Sequence, residues 1–216
     1  MSSGHWPFFE LRIRTPRLEL RPDWDEGLAA LAEVAGAGIH DPATMPFFEP
    51  WSDLASGGPI ERSVLQWSWR QRAELTPDKW RLCFIVSLDG EVVGTQGIEA
   101  EHFATCRVVE TGSWLGRRFQ GQGLGKEMRA AVLHLAFAGL GAVQARSGAF
   151  HDNAASLAVS RALGYQSNGE RIKLRRDKPD RLLELVLTRA AWEKHRWTAP
   201  IEVDGLEACL PLLVET

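Results

Sequence analysis

The chain has 216 residues, of which 44% are hydrophobic and 25% are charged, proportions typical of an ordinary globular protein. Its net charge of −3 at pH 7 gives no general attraction to nucleic acids or anionic membranes, so we expect neither as a partner. The length favours one domain, with room for an added segment.

The N-terminus, the apolar segments and the cysteines indicate a cytoplasmic protein. No basic stretch followed by an apolar run stands at the N-terminus, so we expect no signal peptide. The longest apolar segment, residues 130–143, is too short to span a bilayer and contains His134. The cysteines show no metal-binding or redox spacing, and we interpret Cys83 and Cys106 as reduced core residues. No metal is expected.

The first part of the chain predicts strands followed by helices. Residues 9–21 alternate like a strand that is interrupted before Pro16, and Asp23 is expected to cap the next helix. Residues 40–58 contain three prolines and a Gly-Gly pair, which indicates a loop, and its aromatic residues either anchor it to the core or line a cleft. Residues 59–75 predict a helix with proline near its first turn.

The rest of the chain predicts a mixed sheet with flanking helices. The pair Asp89-Gly90 is a hairpin signal, a second hairpin is centred near residues 101–105, and a charged turn is expected at 177–180. The predicted elements are strands over residues 80–88, 91–98, 108–115, 142–150, 165–174 and 181–187, and helices from Leu124 to 139–141 and from Asp152 or Asn153 to 163–165. One parallel crossover within a largely antiparallel sheet predicts the α/β (α+β) class.

A glycine-rich stretch separates the strand at 108–115 from the helix that begins at Leu124. Its glycines, Gly121, Gly123 and Gly125, let the main chain approach a bulky group closely. N–H groups in the first turn of a helix have no internal partner, and the helix dipole adds about half a positive charge there. The stretch therefore predicts a site for a phosphorylated ligand.

Two common phosphate-binding patterns do not fit this stretch. A Walker A loop needs glycine where Gln120 stands and Ser or Thr where Glu127 follows Lys126. The dinucleotide-binding fingerprint needs two residues between its last glycines, whereas here the glycines alternate with other residues.

The spacing Gln120-x-x-Gly123-x-Gly125 resembles the pyrophosphate loop of the GNAT acyltransferases, although Arg118-x-x-Gly121-x-Gly123 gives a second register. Three further segments are similar to the ribosomal-protein alanine acetyltransferase branch of that family. They are residues 15–22 in the opening strand, Glu110-Thr111-Gly112-Ser113-Trp114-Leu115 before the loop, and His151-Asp152-Asn153-Ala154-Ala155-Ser156 with Leu163-Gly164-Tyr165 after it.

This resemblance implies the GNAT fold over residues 1–197, in which a mostly antiparallel sheet contains two splayed central parallel strands. It also implies that acyl-coenzyme A is the co-substrate, bound through its pantetheine to the strand at 108–115 and through its pyrophosphate to the glycine-rich stretch. The expected binding residues are Trp114, Leu115, Gly116, Gln120, Gly121, Gln122, Gly123, Leu124, Gly125, Lys126 and Asn153. Arg117 and Arg118 are further cations beside the loop.

The implied reaction moves an acyl group from a thioester to an amine. Many family members use a tyrosine seven residues after the asparagine as acid, but Ser160 stands there, and the resemblance points instead to Ser156. Ser156 either donates to the thiolate or only sits in the first turn of a helix. Glu110 is the leading candidate for the base, because a carboxylate between apolar neighbours accepts a proton more readily at neutral pH; it could instead pair with an arginine. His151 is the second candidate.

The acyl group is acetyl by family default. A similarity to mycobacterial GNAT proteins related to succinyl-coenzyme A transfer adds succinyl, which would need a cation in the cleft. The arginines available by residue type are Arg62, Arg70, Arg81 and Arg107. A non-catalytic protein that binds or senses acyl-coenzyme A is the alternative reading.

Residues 198–216 form an apolar tail beyond the expected end of the family fold. Its apolar side chains must be buried somewhere. We expect the tail to pack on its own or a neighbouring subunit of a homodimer or higher homo-oligomer.

Overall fold

The computed structural model describes residues 4–53 and 59–214. The helices in these ranges are α1 (Asp25–Gly36), α2 (Ile60–Ala73), α3 (Phe103–Cys106), α4 (Leu124–His134), α5 (Ala154–Ala162), α6 (Arg189–Lys194) and α7 (Leu210–Leu213). The strands are β1 (Arg12–Arg14), β2 (Leu18–Pro22), β3 (Lys79–Leu88), β4 (Glu91–Glu101), β5 (Val108–Leu115), β6 (Gln144–Phe150), β7 (Gln166–Arg175), β8 (Lys178–Thr188) and β9 (Glu202–Asp204).

These strands form one sheet in the order β7-β8-β6-β5-β4-β3-β2-β1-β9. Neighbours are antiparallel except β5 and β6, which are parallel because α4 connects them as a crossover. The predicted α+β class and mixed sheet are confirmed.

Helices cover both faces of the sheet. On one face, α1 and α2 bury a smaller cluster that includes Leu28, Leu31 and Ile85. On the other face, α4 packs against the main core through Leu124 and Met128. After His134 the helix widens into a π-helical turn, Leu135–Gly139, and Gly141 then adopts a positive φ of 76°. Since β5 contributes to both clusters, it lies between the two layers.

Asp23 does not cap α1. The helix has Trp24 at its N-cap and no side-chain cap. The Asp23 carboxylate is buried and accepts a hydrogen bond from the Ser68 hydroxyl of α2. Burial raises the pKa of Asp23 to about 6, and the positive charge of Arg72 partly opposes that rise. The side chain thus joins the end of β2 to α2, and a tertiary contact has overridden its local capping preference.

Other predicted details also shift. The turn before β8 lies at Arg176 and Asp177, whose φ angles are +48° and +63°, so β8 begins at Lys178 within the predicted turn. Cys106 ends the short helix α3 and is exposed, so its assignment to the core was wrong, whereas Cys83 and Cys209 are buried. Residues 54–58 of the predicted loop lie outside the described residues.

The C-terminal tail packs on its own chain in the described residues, which end at Val214. β9 pairs with β1, and Leu213 is fully buried in the main core. The indole N–H of Trp80 donates to the Leu213 carbonyl at 3.0 Å. Much of the apolar surface of residues 198–214 is thereby covered within the subunit. The homo-oligomer stays a prediction.

Among the described helices, none is long and apolar enough to cross a membrane.

Candidate functional site

The parallel strands β5 and β6 separate after a short paired segment. The partners are Val108–Gln144, Val109–Ala145 and Glu110–Arg146. Beyond them, β5 runs on to Leu115 and β6 to Phe150 with no further pair between the two in the described residues. Each stays extended because its other edge is held, β5 by β4 and β6 by β8. We call the gap between residues 111–115 and 147–150 the wedge.

Hydroxyl groups close the narrow end of the wedge. Ser147 Oγ donates to the Thr111 carbonyl at 3.4 Å, and Thr111 Oγ1 lies 3.2 Å from the Tyr165 hydroxyl. At the wide end, the Gly116 N–H donates to the Val93 carbonyl of β4. Because backbone groups alternate between the two edges of a strand, those of Ser113 and Leu115 point into the wedge.

The glycine-rich stretch lies beyond the wide end of the wedge and leads into α4. Gly121 and Gly123 have φ angles of +76° and +79°, which favour glycine. Gly123 is the N-cap of α4 and provides no side-chain cap. Among the described residues, no group accepts a hydrogen bond from the N–H groups of residues 121–125. The stretch therefore presents a row of free donors at a helix N-terminus.

Several expected binding residues already have partners within the protein. Gln120 Nε2 donates to the Leu115 carbonyl at 2.9 Å and to the Ile39 carbonyl at 2.6 Å, so this side chain braces the loop. The Gly116 N–H is bonded to β4, and a Cβ there would lie 2.7 Å from Val34 Cγ1. Close packing against α1 is thus a sufficient reason for glycine at position 116.

Lys126 and Trp114 also make contacts within the protein. Lys126 Nζ lies 5.4 Å from the Trp197 ring centroid, as in a cation–π contact. Trp114 packs on Trp51 with a ring-centroid separation of 5.8 Å, and Trp51 contacts Phe47 in turn. The aromatic loop therefore covers the sheet beside the wedge.

Alternation along β5 separates the candidate residues onto two faces. Glu110 and Trp114 lie on the α1 and α2 side, whereas Ser113 and Leu115 lie on the α4 side. Glu110 is exposed, so the prediction that apolar neighbours enclose its carboxylate was wrong. The reason is that its register neighbours are Glu99 on β4 and Arg146 on β6. Among the described residues, no cationic side chain lies within ion-pair distance of Glu110.

The start of α5 carries the second group of candidates. Asn153 is the N-cap, and its Oδ1 accepts a hydrogen bond from the Ser156 N–H at 3.1 Å. Ser156 is half-buried, and its hydroxyl has no partner among the described residues. Ser160 is fully buried, so it cannot take the place of an exposed acid. His151 follows β6, and its Nδ1 lies 3.1 Å from Asp180 Oδ1.

Residues 17–166 match the family described as acetyltransferase (GNAT) domain. The chain belongs to this family. RimJ from Mycobacterium smegmatis, in complex with CoA-disulfide, is 20% identical, with a TM-score of 0.69 over 97% of this chain and 96% of its own. RimL, a ribosomal α-N-protein acetyltransferase in complex with coenzyme A, is 18% identical, with a TM-score of 0.64 over 81% and 95%.

A spermidine N-acetyltransferase chimera of SpeG from Vibrio cholerae and hSSAT is 12% identical, with a TM-score of 0.63 over 82% of this chain and 98% of its own. These structures share the GNAT fold, so the predicted fold is confirmed. The wedge and the glycine-rich stretch therefore lie within a domain of the GNAT fold.

One cation beside the glycine-rich stretch was not predicted from the sequence. Arg17, in the turn between β1 and β2, donates from Nε to Glu127 Oε2 at 2.7 Å and from Nη1 to the Gln122 carbonyl at 3.2 Å. Glu127 is buried on α4 and also accepts from Thr15 Oγ1 at 2.6 Å. The available sequence signal was Glu127, a charged residue in the apolar run after the glycines. A carboxylate that is buried there needs a partner, and Arg17 provides it.

Arg17 lies at the loop itself, because its Nη2 is 3.6 Å from the position that a Cβ on Gly123 would take. Arg118 differs, since it pairs with Glu91 at the surface. No group of three or more His, Cys, Asp or Glu side chains in the described part of this GNAT domain is arranged to hold a metal ion.

Proposed function

We propose that this GNAT domain transfers an acetyl or succinyl group from coenzyme A directly to a primary amine, in the manner of the ribosomal-protein branch. The observation that carries the proposal is the wedge between β5 and β6, which leads to a helix N-terminus with free N–H donors. RimJ and RimL, which share the fold, were solved with forms of coenzyme A.

The residues at the loop fit the pyrophosphate of an acyl-coenzyme A. Free N–H groups at residues 121–125 and the dipole of α4 favour an anion. Arg17 adds a side-chain cation beside Gly123. In the wedge, the backbone groups of Ser113 and Leu115 face an edge without a strand partner, which suits an extended chain of amides. Bound there, the acyl-coenzyme A supplies the activated carbonyl group.

The transfer needs a neutral amine, and its atoms balance as follows. The amine nitrogen attacks the thioester carbon, the C–N bond forms and the C–S bond breaks with its electron pair passing to sulfur. The nitrogen loses one proton to a base, and the sulfur gains one proton. An α-amine, with a reference pKa near 7.7–8.0, needs less help from the base than a lysine side chain near 10.4.

Ser156 is our proposed donor to the leaving sulfur. Ser156 is half-buried on the same side of the sheet as Ser113, and its hydroxyl has no hydrogen-bond partner among the described residues. Asn153 fixes the first turn of α5 by accepting from the Ser156 N–H, so the hydroxyl is carried on a rigid element.

Glu110 is our proposed base. It lies at the last residue pair before the wedge opens, on the face opposite to Ser113. His151 stands five residues beyond Arg146 along β6, roughly 16 Å at the rise of a strand. His151 is the second candidate for the base. It pairs with Asp180, and Asp180 lines an open cavity of about 410 Å³ in which an amine could bind. A base must lie within hydrogen-bond reach of its proton, so the two positions imply different amine sites.

The acyl group is proposed as acetyl or succinyl. Of the arginines expected near a succinyl carboxylate, Arg81 pairs with Glu99, and Arg107 donates to the Leu140 carbonyl. Arg146 is a better candidate cation, since it is exposed and lies beside Glu110 in register. It has no ion-pair partner among the described residues.

The alternative is a protein that binds acyl-coenzyme A without turnover. The burial of Ser160 at the position of the family's tyrosine favours this alternative.

Thiol release distinguishes the two functions. Purified protein is incubated with acetyl- or succinyl-coenzyme A and a panel of peptide α-amines, lysine side chains and polyamines. We expect thiol release that depends on the amine, with the acyl group found on nitrogen by mass spectrometry. Binding of both donors with no release for any amine would favour the sensor.

The loop assignment predicts a charge-specific loss of donor binding. Gly123→Glu and Gly123→Gln impose the same strain at φ +79°, but only Glu places a carboxylate beside the phosphates. We expect the Glu variant to bind coenzyme A at least about tenfold more weakly than the Gln variant, with similar melting temperatures, because like charges repel. Calorimetric titration measures both affinities. Equal affinities would place the phosphates elsewhere.

Removing the Ser156 hydroxyl should slow transfer without weakening donor binding. We expect Ser156→Ala to lower kcat by roughly a hundredfold, the low end of the range for a positioned proton donor, with donor affinity retained. Ser167→Ala on the exposed part of β7 is the matched control. An unchanged rate for Ser156→Ala would remove it from the mechanism.

The two candidate bases make different predictions. Glu110→Gln should lower kcat/KM by about a hundredfold, a typical effect for a general base, and His151→Gln should change it much less. Steady-state kinetics with the best amine of the panel decides between them. A larger loss of kcat/KM in His151→Gln than in Glu110→Gln would assign the base to His151 and the amine site to the cavity beside Asp180.

A further inference from the structure

Arg129 of α4 is a buried cation with no acidic partner in the part of the chain that the structure describes. Only 4% of the residue is exposed. Its Nη1 donates to Ser160 Oγ at 3.0 Å and its Nη2 to Ser113 Oγ at 3.2 Å. Its Nε is buried and has no hydrogen-bond partner in residues 4–53 and 59–214. No carboxylate in the described part of the chain forms an ion pair with it.

Such an arrangement is costly unless something else compensates the charge. Taking an ion out of water is strongly unfavourable, and buried arginines are usually paired for that reason. A neutral side chain could join α4 to β5 and α5 without this cost. Burial lowers the pKa of Arg129, but a guanidinium keeps its proton throughout the range in which proteins are folded.

The guanidinium lies directly behind the wedge. Ser113 is on the part of β5 that β6 leaves unpaired. Ser160, the other acceptor, donates to the Ser156 carbonyl at 3.0 Å, so Arg129 is also connected to the turn of α5 that carries Ser156. Gln96, which is opposite Ser113 on β4, is buried, and its Oε1 has no partner among the described residues. The polar cluster around Ser113 thus contains two buried atoms without hydrogen-bond partners in the described part of the chain, Gln96 Oε1 and Arg129 Nε.

Nearby titratable groups do not supply the missing negative charge. Tyr165 is the group that interacts with Arg129, and it is buried beside Thr111. Burial raises the pKa of Tyr165 above its usual value, so the phenol is neutral at physiological pH. Beyond it, Glu110 is exposed on the other face of the sheet.

We propose that Arg129 is a positioning residue whose fixed charge, transmitted through the Ser113 hydroxyl, stabilises the thiolate of coenzyme A in the wedge. Because Arg129 donates to Ser113 Oγ, the hydroxyl hydrogen is left to donate toward the sulfur. When the C–S bond breaks, its electron pair goes to that sulfur, and the cation stabilises the charge that develops. The inference rests on the proposed donor site, and it assigns a role to a residue that binds no substrate directly.

The titration of bound coenzyme A tests this inference without turnover. Affinities for coenzyme A and S-methyl-coenzyme A are measured from about pH 6 to about pH 9.5, a range that includes the reference pKa of about 8.5 for a cysteine thiol. The methylated ligand has no thiol, so it controls for every other ionisation. We expect the affinity for coenzyme A, relative to that for S-methyl-coenzyme A, to rise roughly tenfold as the pH increases over this range. Such a rise corresponds to a lowering of the pKa of the bound thiol by about one unit.

Variants separate charge from structure. Arg129→Met should abolish the relative gain, Arg129→Lys should keep most of it, and Ser113→Ala should reduce it. Arg161→Met, an exposed position on α5, is the control and should leave the gain unchanged. If Arg129→Met does not fold, the wild-type titration and Ser113→Ala still decide. A purely structural arginine would lower the melting temperature in both Arg129 variants with an unaltered titration.

The outcomes distinguish this inference from the proposed function. Wild-type protein that binds both ligands with a constant affinity ratio would overturn the inference and leave the transfer proposal intact. A lowered pKa of the bound thiol in a protein that transfers no acyl group would support the inference while the transfer proposal fails. Binding of neither ligand would overturn the donor site and this inference with it.

Discussion

The separation of β5 from β6 is the constraint on which the rest of this molecule depends. A strand edge cannot leave its N–H and carbonyl groups buried without partners. At the narrow end, Ser147 satisfies the Thr111 carbonyl, and at the wide end Gln120 satisfies that of Leu115. The backbone groups between them face the wedge, where an extended ligand can take the place of a tenth strand. The same separation requires the outer neighbours, β4 and β8, to hold the two strands rigidly apart.

A sheet that opens in its middle also divides the chemistry between its two faces. Alternation along β5 sends Glu110 and Trp114 toward α1 and α2, and it sends Ser113 toward α4 and α5. In the proposed mechanism, the base for the incoming amine and the donor to the departing sulfur therefore act from opposite sides of the sheet. A shift of one residue in the register of β5 would exchange these faces, so the proposed division of roles depends on the β4–β5 pairing, which is continuous from Glu110 to Leu115.

The sequence predicted those parts of the fold whose signals are local. The glycines at 121 and 123 indicated the turn because left-handed φ angles favour glycine, and Asn153 indicated the start of α5 because its side chain can cap the helix. Local signals failed where distant residues compete for a side chain. Aspartate is a common helix-capping residue, but the Asp23 carboxylate instead accepts a hydrogen bond from Ser68, forty-five positions along the chain. The partners of Arg17 and Arg129 likewise lie far away in sequence, so only the folded chain brings them together.

Two buried charges on α4 illustrate how a structural role can be told from a functional one. Glu127 and Arg129 are two residues apart, about 200° around the helix, so they point in nearly opposite directions. Glu127 meets Thr15 and Arg17, which satisfy both of its oxygens, and the result is a joint between α4 and the β1–β2 turn. Among the residues that the structure describes, Arg129 meets only hydroxyl groups and keeps one buried N–H unpaired. A charge that the fold satisfies completely needs no ligand to explain it. A charge that the fold leaves unsatisfied, directly behind an open strand edge, is best explained by the negative charge that develops on the coenzyme A sulfur in the proposed reaction.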